Sequence, residues 1–298
     1  GKSNYVAAIV AGCICPAGEE VDTLGIQITA NGRHKAVLLY DTEQSEVQLF
    51  KNVSNLLARA KQPDKPDELK AFCLTGMSRK ERLNAIVQSM DKFYYQYGGI
   101  QLVVIDGIAD LVKSANDEAE SVAVIDELYR LAGIYNTCIL CVLHFVPNGL
   151  KLRGHLGSEL QRKAATILSI EKDEEPTQSV VKALKVRDGS PLDVPLMLFA
   201  WDKEAGMHVY KGEKPREEKE KRKEKELVNV AHDIFGRQTR ITYIDLCEQL
   251  QQVLDIKERT AKSYIRFMRE RDIITKDTTS QSYFVIGSYN LQSNTSCP

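Results

Sequence analysis

The chain has 298 residues, of which 43% are hydrophobic and 27% charged, so composition predicts an ordinary globular protein with one large domain and a smaller one. Its 40 basic and 41 acidic side chains leave a net charge of −1, which excludes a strongly basic nucleic-acid-binding composition. No apolar run approaches the roughly 18 residues of a membrane span, and seven cysteines without disulfide-like spacing fit a reducing cytoplasm. We therefore expect a cytoplasmic protein that does not contact a membrane.

The first residues, Gly1, Lys2 and Ser3, match the last three positions of the phosphate-binding P-loop G-x-x-x-x-G-K-[ST]. In such a loop glycine lets backbone N–H groups approach phosphates, lysine reaches the β- and γ-phosphates, and the hydroxyl binds Mg²⁺. The stretch SNYVAAIVAGCI behind it predicts a helix whose N-terminus faces the phosphates. These residues predict binding of ATP and Mg²⁺, with the first strand and the rest of the loop upstream of Gly1. The alternative is a chance or tag-derived G-K-S.

Residues 1–210 alternate apolar runs with helical patterns, as βαβ units do, which predicts an α/β fold of the P-loop type with a mainly parallel sheet. The runs are continuously apolar, which is typical of strands covered on both faces. The last runs lack intervening helices, so we expect them to pair antiparallel at one edge of that sheet. The predicted strands are 35–43, 70–76, 101–107, 137–145, 164–172 and 180–188, followed by strand-like segments within 195–210.

Polar residues end several of these runs, where side chains would face a ligand crevice. Asp106 closes LVVID and is the candidate second Mg²⁺ ligand beside Ser3, against the alternative of a turn-capping aspartate. Glu43, after LLYDT, is the candidate general base for the attacking water, with Asp41 second and a solvated loop acid as the alternative. His144, after CVL, could sense the γ-phosphate or could be an ordinary core or loop histidine.

The segment 211–226 is a Lys/Glu-rich run, either a solvated helix or a flexible linker, and marks a domain boundary. Residues 227–287 read as three helices and a hairpin, which predicts a winged helix-turn-helix, with 288–298 as a tail. In the helix predicted at 257–271, one face is apolar and the other basic, which suggests contact with nucleic acid. A solvated face in a protein-binding module is the alternative. The basic side chains are Arg259, Lys262, Arg266 and Arg269.

Taken in order, G-K-S, LLYDTE, LVVID, VLH, LRGHLGSELQRKAATILSIEK and LKVRDG resemble RecA-like P-loop ATPases over about residues 1–210. The pattern is most similar to RepA-type hexameric replicative helicases of plasmids and mobilisable elements, and more distantly to the DnaB and KaiC groups. The chain differs from plasmid helicases in having one histidine where they often carry two, and in its winged tail. The resemblance implies an ATPase that assembles as a hexamer or other ring and acts on DNA, most often single-stranded.

The resemblance also assigns roles to matched positions. It makes Lys2 and Ser3 the Walker A residues, Glu43 the catalytic carboxylate, Asp106 the Walker B residue and His144 the sensor. Further candidates for catalysis across a subunit interface are Arg153, in the segment LRGHLGSEL, and Lys185 with Arg187, in the K-x-R element. An offset of two puts Lys185 and Arg187 on one strand face, where unpaired cations need an anionic partner. A local salt bridge to Asp188, Glu171 or Asp173 is the alternative.

These features support three hypotheses about function. The first is a nucleic-acid motor for replication, mobilisation or excision of a mobile element, working with other replication or mobilisation proteins; a helicase is one form of it. The second is a nucleotide-switched regulatory or loader ATPase whose winged helix binds DNA or a protein without unwinding. The third, a small-molecule kinase, explains neither the K-x-R element nor the tail.

Overall fold

The computed structural model describes residues 1–144, 154–173, 175–214, 219–236 and 238–289. The chain divides into two compact units, Gly1–Arg216 and Glu217–Pro298. This division lies inside the predicted charged boundary segment 211–226. No helix in the described parts of the chain is long and apolar enough to cross a membrane.

A parallel four-stranded sheet forms the centre of the first unit. Its strands are β1 (Ala36–Asp41), β2 (Leu69–Cys73), β3 (Ile100–Asp106) and β4 (Cys138–Val142), in the order β2-β1-β3-β4. Every residue of β1 is buried, as continuous apolar runs predict for strands covered on both faces. Asp41 pairs in register with Asp106, so the two strands end at the same edge of the sheet.

Helices cover both faces of this sheet because alternate strand residues point to opposite sides. Helices α1 (Lys2–Ile14) and α2 (Glu46–Arg59) share a core with Leu39 and Val104. Helices α3 (Arg79–Tyr97) and α4 (Glu118–Ile134) share the opposite core with neighbouring residues of the same strands. Capping side chains fix the starts of α2, α3 and α4. Ser45 and Asp117 accept hydrogen bonds from backbone N–H groups, and Ser78 forms a capping box with Glu81.

The second half of this unit contains α5 (Gly154–Lys163) and four strands, β5 (Thr166–Lys172), β6 (Gln178–Val186), β7 (Leu196–Asp202) and β8 (Met207–Lys214). They pair antiparallel, as predicted, in the order β5-β6-β7-β8. The prediction that they extend one edge of the parallel sheet was wrong, because in the described residues they hydrogen-bond as a sheet of their own. Helix α1 packs against both sheets, and nine of its thirteen residues are buried.

The second unit begins with α6 (Lys219–Phe235), so part of the charged segment is helical, while residues 211–214 belong to β8. It continues with β9 (Ile241–Thr242), α7 (Tyr243–Leu254), α8 (Glu258–Glu270), β10 (Ile274–Lys276) and β11 (Tyr283–Ile286). The three strands pair antiparallel in the order β10-β11-β9. Three helices thus pack around one core with a small sheet that includes the predicted hairpin.

Candidate nucleotide site

Four of the predicted site residues meet at the carboxyl edge of the parallel sheet. Lys2, in the first turn of α1, donates from Nζ to Nδ1 of His144 at 2.8 Å. The other ring nitrogen of His144, Nε2, lies 3.8 Å from Oε2 of Glu43. Asp106 ends the neighbouring strand β3 and interacts electrostatically with both Lys2 and Glu43. Residues from four separate segments therefore form one polar site.

Glu43 and Asp41 have different environments although they are two residues apart. Strand β1 ends at Asp41, earlier than the predicted 43, so Glu43 lies in the turn that follows. Asp41 is 2% exposed, and its Oδ1 accepts the backbone N–H groups of Glu43 at 3.0 Å and Gln44 at 2.8 Å. The Glu43 side chain is 42% exposed. Asp41 thus shapes the turn, and Glu43 is the carboxylate accessible to solvent.

The surroundings of Asp106 shift its pKa. Burial raises its pKa above the ordinary value, and the neighbouring carboxylates of Asp41 and Glu43 raise it further. A hydrogen bond from the Ser3 side chain and the charge of Lys2 act in the opposite direction. The pKa of Asp106 is raised overall, so the protein alone stabilises the ionised carboxylate less well than water does. A cation at this position would relieve that deficit.

Lys2 and Ser3 supply the complementary groups at the start of α1. Burial lowers the pKa of Lys2, while Glu43 and Asp106 favour its charged form. The first turn of a helix presents unpaired N–H groups and the positive end of the helix dipole, which suits a phosphate. Mg²⁺ takes one or two protein oxygens together with phosphate oxygens and water. The Ser3 hydroxyl and the Asp106 carboxylate fit that requirement, whereas no cluster of three or more His, Cys, Asp or Glu in the described residues could hold a metal by itself.

The hydrogen bond from Lys2 determines which nitrogen of His144 carries a proton. A lysine ammonium has only donors, so Nδ1 must accept and the neutral ring carries its hydrogen on Nε2. That Nε2–H is directed to the side where Glu43 lies. His144 is 62% exposed, so it is not a core histidine.

Sequence reasoning missed the residues that join the turns behind this site. Thr42, 3% exposed, donates from its hydroxyl toward the backbone oxygen of Gly107 at 2.8 Å and toward Oδ2 of Asp110 at 3.0 Å. Arg82 from α3 donates to the backbone oxygen of Asp110 at 3.1 Å. A glycine after a Walker-B-like aspartate and a threonine before Glu43 were visible in the sequence. Their contact depends on the pairing of β1 with β3, which no local pattern reveals.

The residues predicted to act on a neighbouring subunit's nucleotide lie elsewhere in the unit. Lys185 donates from Nζ to the backbone oxygens of Gln161 at 2.7 Å and Arg162 at 3.3 Å, and Arg187 donates to that of Lys163 at 3.3 Å. Both cations therefore reach the C-terminal end of α5, on the same side of β6, where helix carbonyls attract positive charge. Arg153 lies outside the described residues.

Helix α8 has the predicted two faces. Ala261, Ile265 and Met268 are buried and Tyr264 packs against their core, while the four predicted nucleic-acid-binding cations are exposed. Lys262 lies 2.7 Å from Glu258, and Nε of Arg266 lies 3.5 Å from Glu270. Arg269 lies over the ring of Phe284, with its guanidinium carbon 5.9 Å from the ring centroid. These ion pairs offset part of the positive charge. The four exposed cations of this face are Arg259, Lys262, Arg266 and Arg269.

Comparison with known protein families agrees with this geometry. A family model described as AAA domain, of the AAA-type P-loop ATPases, matches residues 1–148, which is just under half of the chain. The matched segment contains α1, the whole parallel sheet and the residues Lys2, Glu43, Asp106 and His144. No curated protein matches the chain. The family match and the parallel sheet fit a P-loop ATPase fold and suggest nucleotide binding and ATPase activity.

Proposed function

We propose that the first unit binds ATP with Mg²⁺ and hydrolyses it at the edge formed by Lys2, Glu43, Asp106 and His144. The observation that supports this most strongly is the convergence of these groups, with Lys2 2.8 Å from His144 and His144 3.8 Å from Glu43. Perturbed pKa values at Lys2 and Asp106 add support, because functional sites concentrate such shifts.

Each residue has a role that follows from its chemistry. Lys2 neutralises the γ-phosphate and turns from His144 to a phosphate oxygen, while the first-turn N–H groups of α1 hold the adjacent phosphates. Ser3 and Asp106 hold Mg²⁺, which when bound offsets charge on the phosphoryl oxygens. Glu43 orients the attacking water and accepts its proton. His144, donating from Nε2, contacts the γ-phosphate and senses whether it is present.

We further propose that the active form is an oligomer with the nucleotide between subunits. Support comes from the resemblance and from two cations, Lys185 and Arg187, which donate to backbone oxygens at the end of α5. A phosphate on a neighbouring subunit is a stronger partner for a guanidinium than a helix carbonyl is. An arginine supplied in this way is worth about 10³–10⁵ in turnover. Arg153 is a second candidate for the same role.

We propose that the second unit is a winged helix, which its three helices and three short strands support, and that α8 contacts DNA through its exposed cations. Together with the resemblance to RepA-type helicases, this supports a RecA-like motor in replication, mobilisation or excision of a mobile element. A specific observation favours the second candidate, a regulatory or loader ATPase. Lys262 and Arg266 are each paired with a glutamate on the same helix, which leaves less positive charge for phosphates than the sequence pattern predicts.

ATP hydrolysis by the full chain, measured with and without single-stranded DNA and alongside its mass in solution, tests these proposals together. A motor should hydrolyse ATP faster with DNA and separate strands of a duplex, whereas a switch should change assembly with nucleotide and separate none. For the interface, Arg187→Ala subunits mixed with Lys2→Ala subunits should regain part of the activity. A mixture that stays inactive although both variants assemble would place Arg187 outside the neighbouring site.

A further inference from the structure

We propose that Thr42, Asp110 and Arg82 form a positioning network that fixes the Glu43 carboxylate relative to Asp106. The inference rests on the proposed ATPase function and assigns to that site three residues that do not themselves touch the nucleotide. Its basis is a set of contacts among the three turns that follow β1, β2 and β3.

Thr42 is the centre of this positioning network. It lies between Asp41 and Glu43, and its backbone N–H donates to the oxygen of Asp106 at 3.1 Å. Its single hydroxyl hydrogen faces three acceptors, the backbone oxygens of Asp106 at 3.1 Å and Gly107 at 2.8 Å, and Oδ2 of Asp110 at 3.0 Å. Residue 42 thereby ties the turn that carries Glu43 to the turn that follows the metal-side aspartate.

Gly107 allows the two turns to come this close. Its φ of 103° lies in the left-handed region, which favours glycine. A Cβ at this position would lie 2.7 Å from Cγ of Glu43 and 3.0 Å from its Oε1, and would collide with the Thr42 hydroxyl. The side chain of Glu43 therefore packs directly on the Gly107 backbone, and any shift between the two turns moves the carboxylate.

Arg82 extends the network to the third turn. Its guanidinium donates to the backbone oxygens of Leu74 at 3.0 Å, Thr75 at 3.3 Å and Asp110 at 3.1 Å, and lies 3.9 Å from the Asp110 carboxylate. The side chain is only 15% exposed, and a planar guanidinium offers several donors in fixed directions. Arg82 thus fixes Asp110, which receives the Thr42 hydroxyl, against the end of β2.

This arrangement has a kinetic consequence. Glu43 is 42% exposed and extends from a turn, so its position depends on where that turn is held. Misplacement of a catalytic group by about 1 Å can cost about 100-fold in rate. Loss of the network should therefore lower kcat while leaving the Lys2 and Ser3 contacts to phosphate, and hence KM for ATP, nearly unchanged.

The test compares Thr42→Val, which keeps the side-chain shape, with Thr42→Ser, which keeps the hydroxyl. We expect Thr42→Val to lower kcat about 10–100-fold with KM within about twofold, and Thr42→Ser to restore most of it. Thr137→Val is the matched control, because in the described part of the chain the buried Thr137 hydroxyl has no hydrogen-bond partner. Asp110→Ala and Arg82→Lys should show the same kcat defect, and they stand in if Thr42→Val does not fold.

A second measurement needs no nucleotide. In Thr42→Val, amide hydrogen exchange should accelerate at residues 42–44 and 107–110 but stay unchanged inside β3. Unchanged kcat in Thr42→Val, or a kcat defect without faster exchange, would overturn the positioning role. An inactive wild-type chain, or a Glu43→Gln variant that still hydrolyses ATP, would instead overturn the proposed function and this inference with it.

Discussion

Charged side chains are held differently at the carboxyl edge of the parallel sheet and on the outer face of α8. At the sheet edge, Asp106 is brought near Asp41 and Glu43, and burial together with these neighbours raises its pKa. On α8, Lys262 and Arg266 each have a glutamate one turn away and stay exposed. The surroundings at the sheet edge disfavour the ionised form of Asp106, whereas exposed i,i+4 pairs are nearly neutral in free energy. The contrast supports the sheet edge as the proposed nucleotide site.

Removal of the phosphate clamp should have the largest effect. Lys2→Ala removes the positive clamp that we propose for the transferred phosphoryl group, so we expect hydrolysis to be abolished. Phosphate release and the thermal melt are the measurements, with Lys61→Ala, an exposed lysine paired to Glu19, as control. If Lys2→Ala hydrolyses ATP at the wild-type rate, the sheet edge is not the nucleotide site and its contrast with α8 has no functional meaning.

The next effect concerns Glu43, the carboxylate that we propose as the general base. Glu43→Gln keeps the size of the side chain but cannot accept a proton, so ATP should still bind while hydrolysis falls by about 10²–10⁴-fold. Fluorescent-nucleotide binding and phosphate release separate the two steps. Glu46→Gln, in the first turn of α2, is the matched control. Normal hydrolysis in Glu43→Gln would assign the base to another residue.

A smaller effect should appear in stability. The pKa of Asp106 is raised in the folded state. Below the unfolded pKa the carboxyl group is protonated in both states, and its contribution to the stability of the nucleotide-free protein is fully present. This contribution is lost as the pH rises through the folded-state pKa, because the ionised form is disfavoured in the folded protein. Asp106→Asn removes that dependence, and the variant should melt a few degrees above wild type near neutral pH while losing hydrolysis. Melting curves recorded from below pH 3.8 up to neutral pH test this, since the difference should vanish below the ordinary carboxyl pKa of 3.8. A variant less stable at every pH would contradict it.

The smallest effect tests the paired cations of α8. Glu270→Gln frees Arg266, so DNA binding by the full chain should strengthen a few-fold at low salt and lose this gain at high salt. Arg266→Ala should weaken binding by a similar factor. Fluorescence anisotropy with a labelled oligonucleotide measures both. If neither variant changes binding, or if no binding occurs, α8 serves a protein partner instead.

The sequence predicted the parallel sheet because β1 and β3 are continuous apolar runs. It predicted Glu43, Asp106 and His144 as site residues because they follow such runs, and Lys2 because of the G-K-S pattern. It missed the separate antiparallel sheet, since hydrogen bonding between strands is a long-range property that a run such as 164–172 does not encode. It also missed the contact of Thr42 with Gly107, which depends on the register that pairs Asp41 with Asp106. The partners of Lys185 and Arg187 were also missed, because backbone carbonyls at the end of a helix have no sequence signature.

Helix α1 is enclosed by both sheets, and this has a mechanical consequence. Tyr5, Val10 and Ile14 are each at most 3% exposed, and their common core includes Phe199 from the antiparallel sheet and Val104 from the parallel one. Close-packed interiors are stiff and do not yield to small loads. A displacement of Lys2 at the end of this helix would therefore be transmitted to both sheets, because α1 packs against both along its length. Helix α1 therefore connects the start of the chain at Lys2 rigidly with the sheet that carries Lys185.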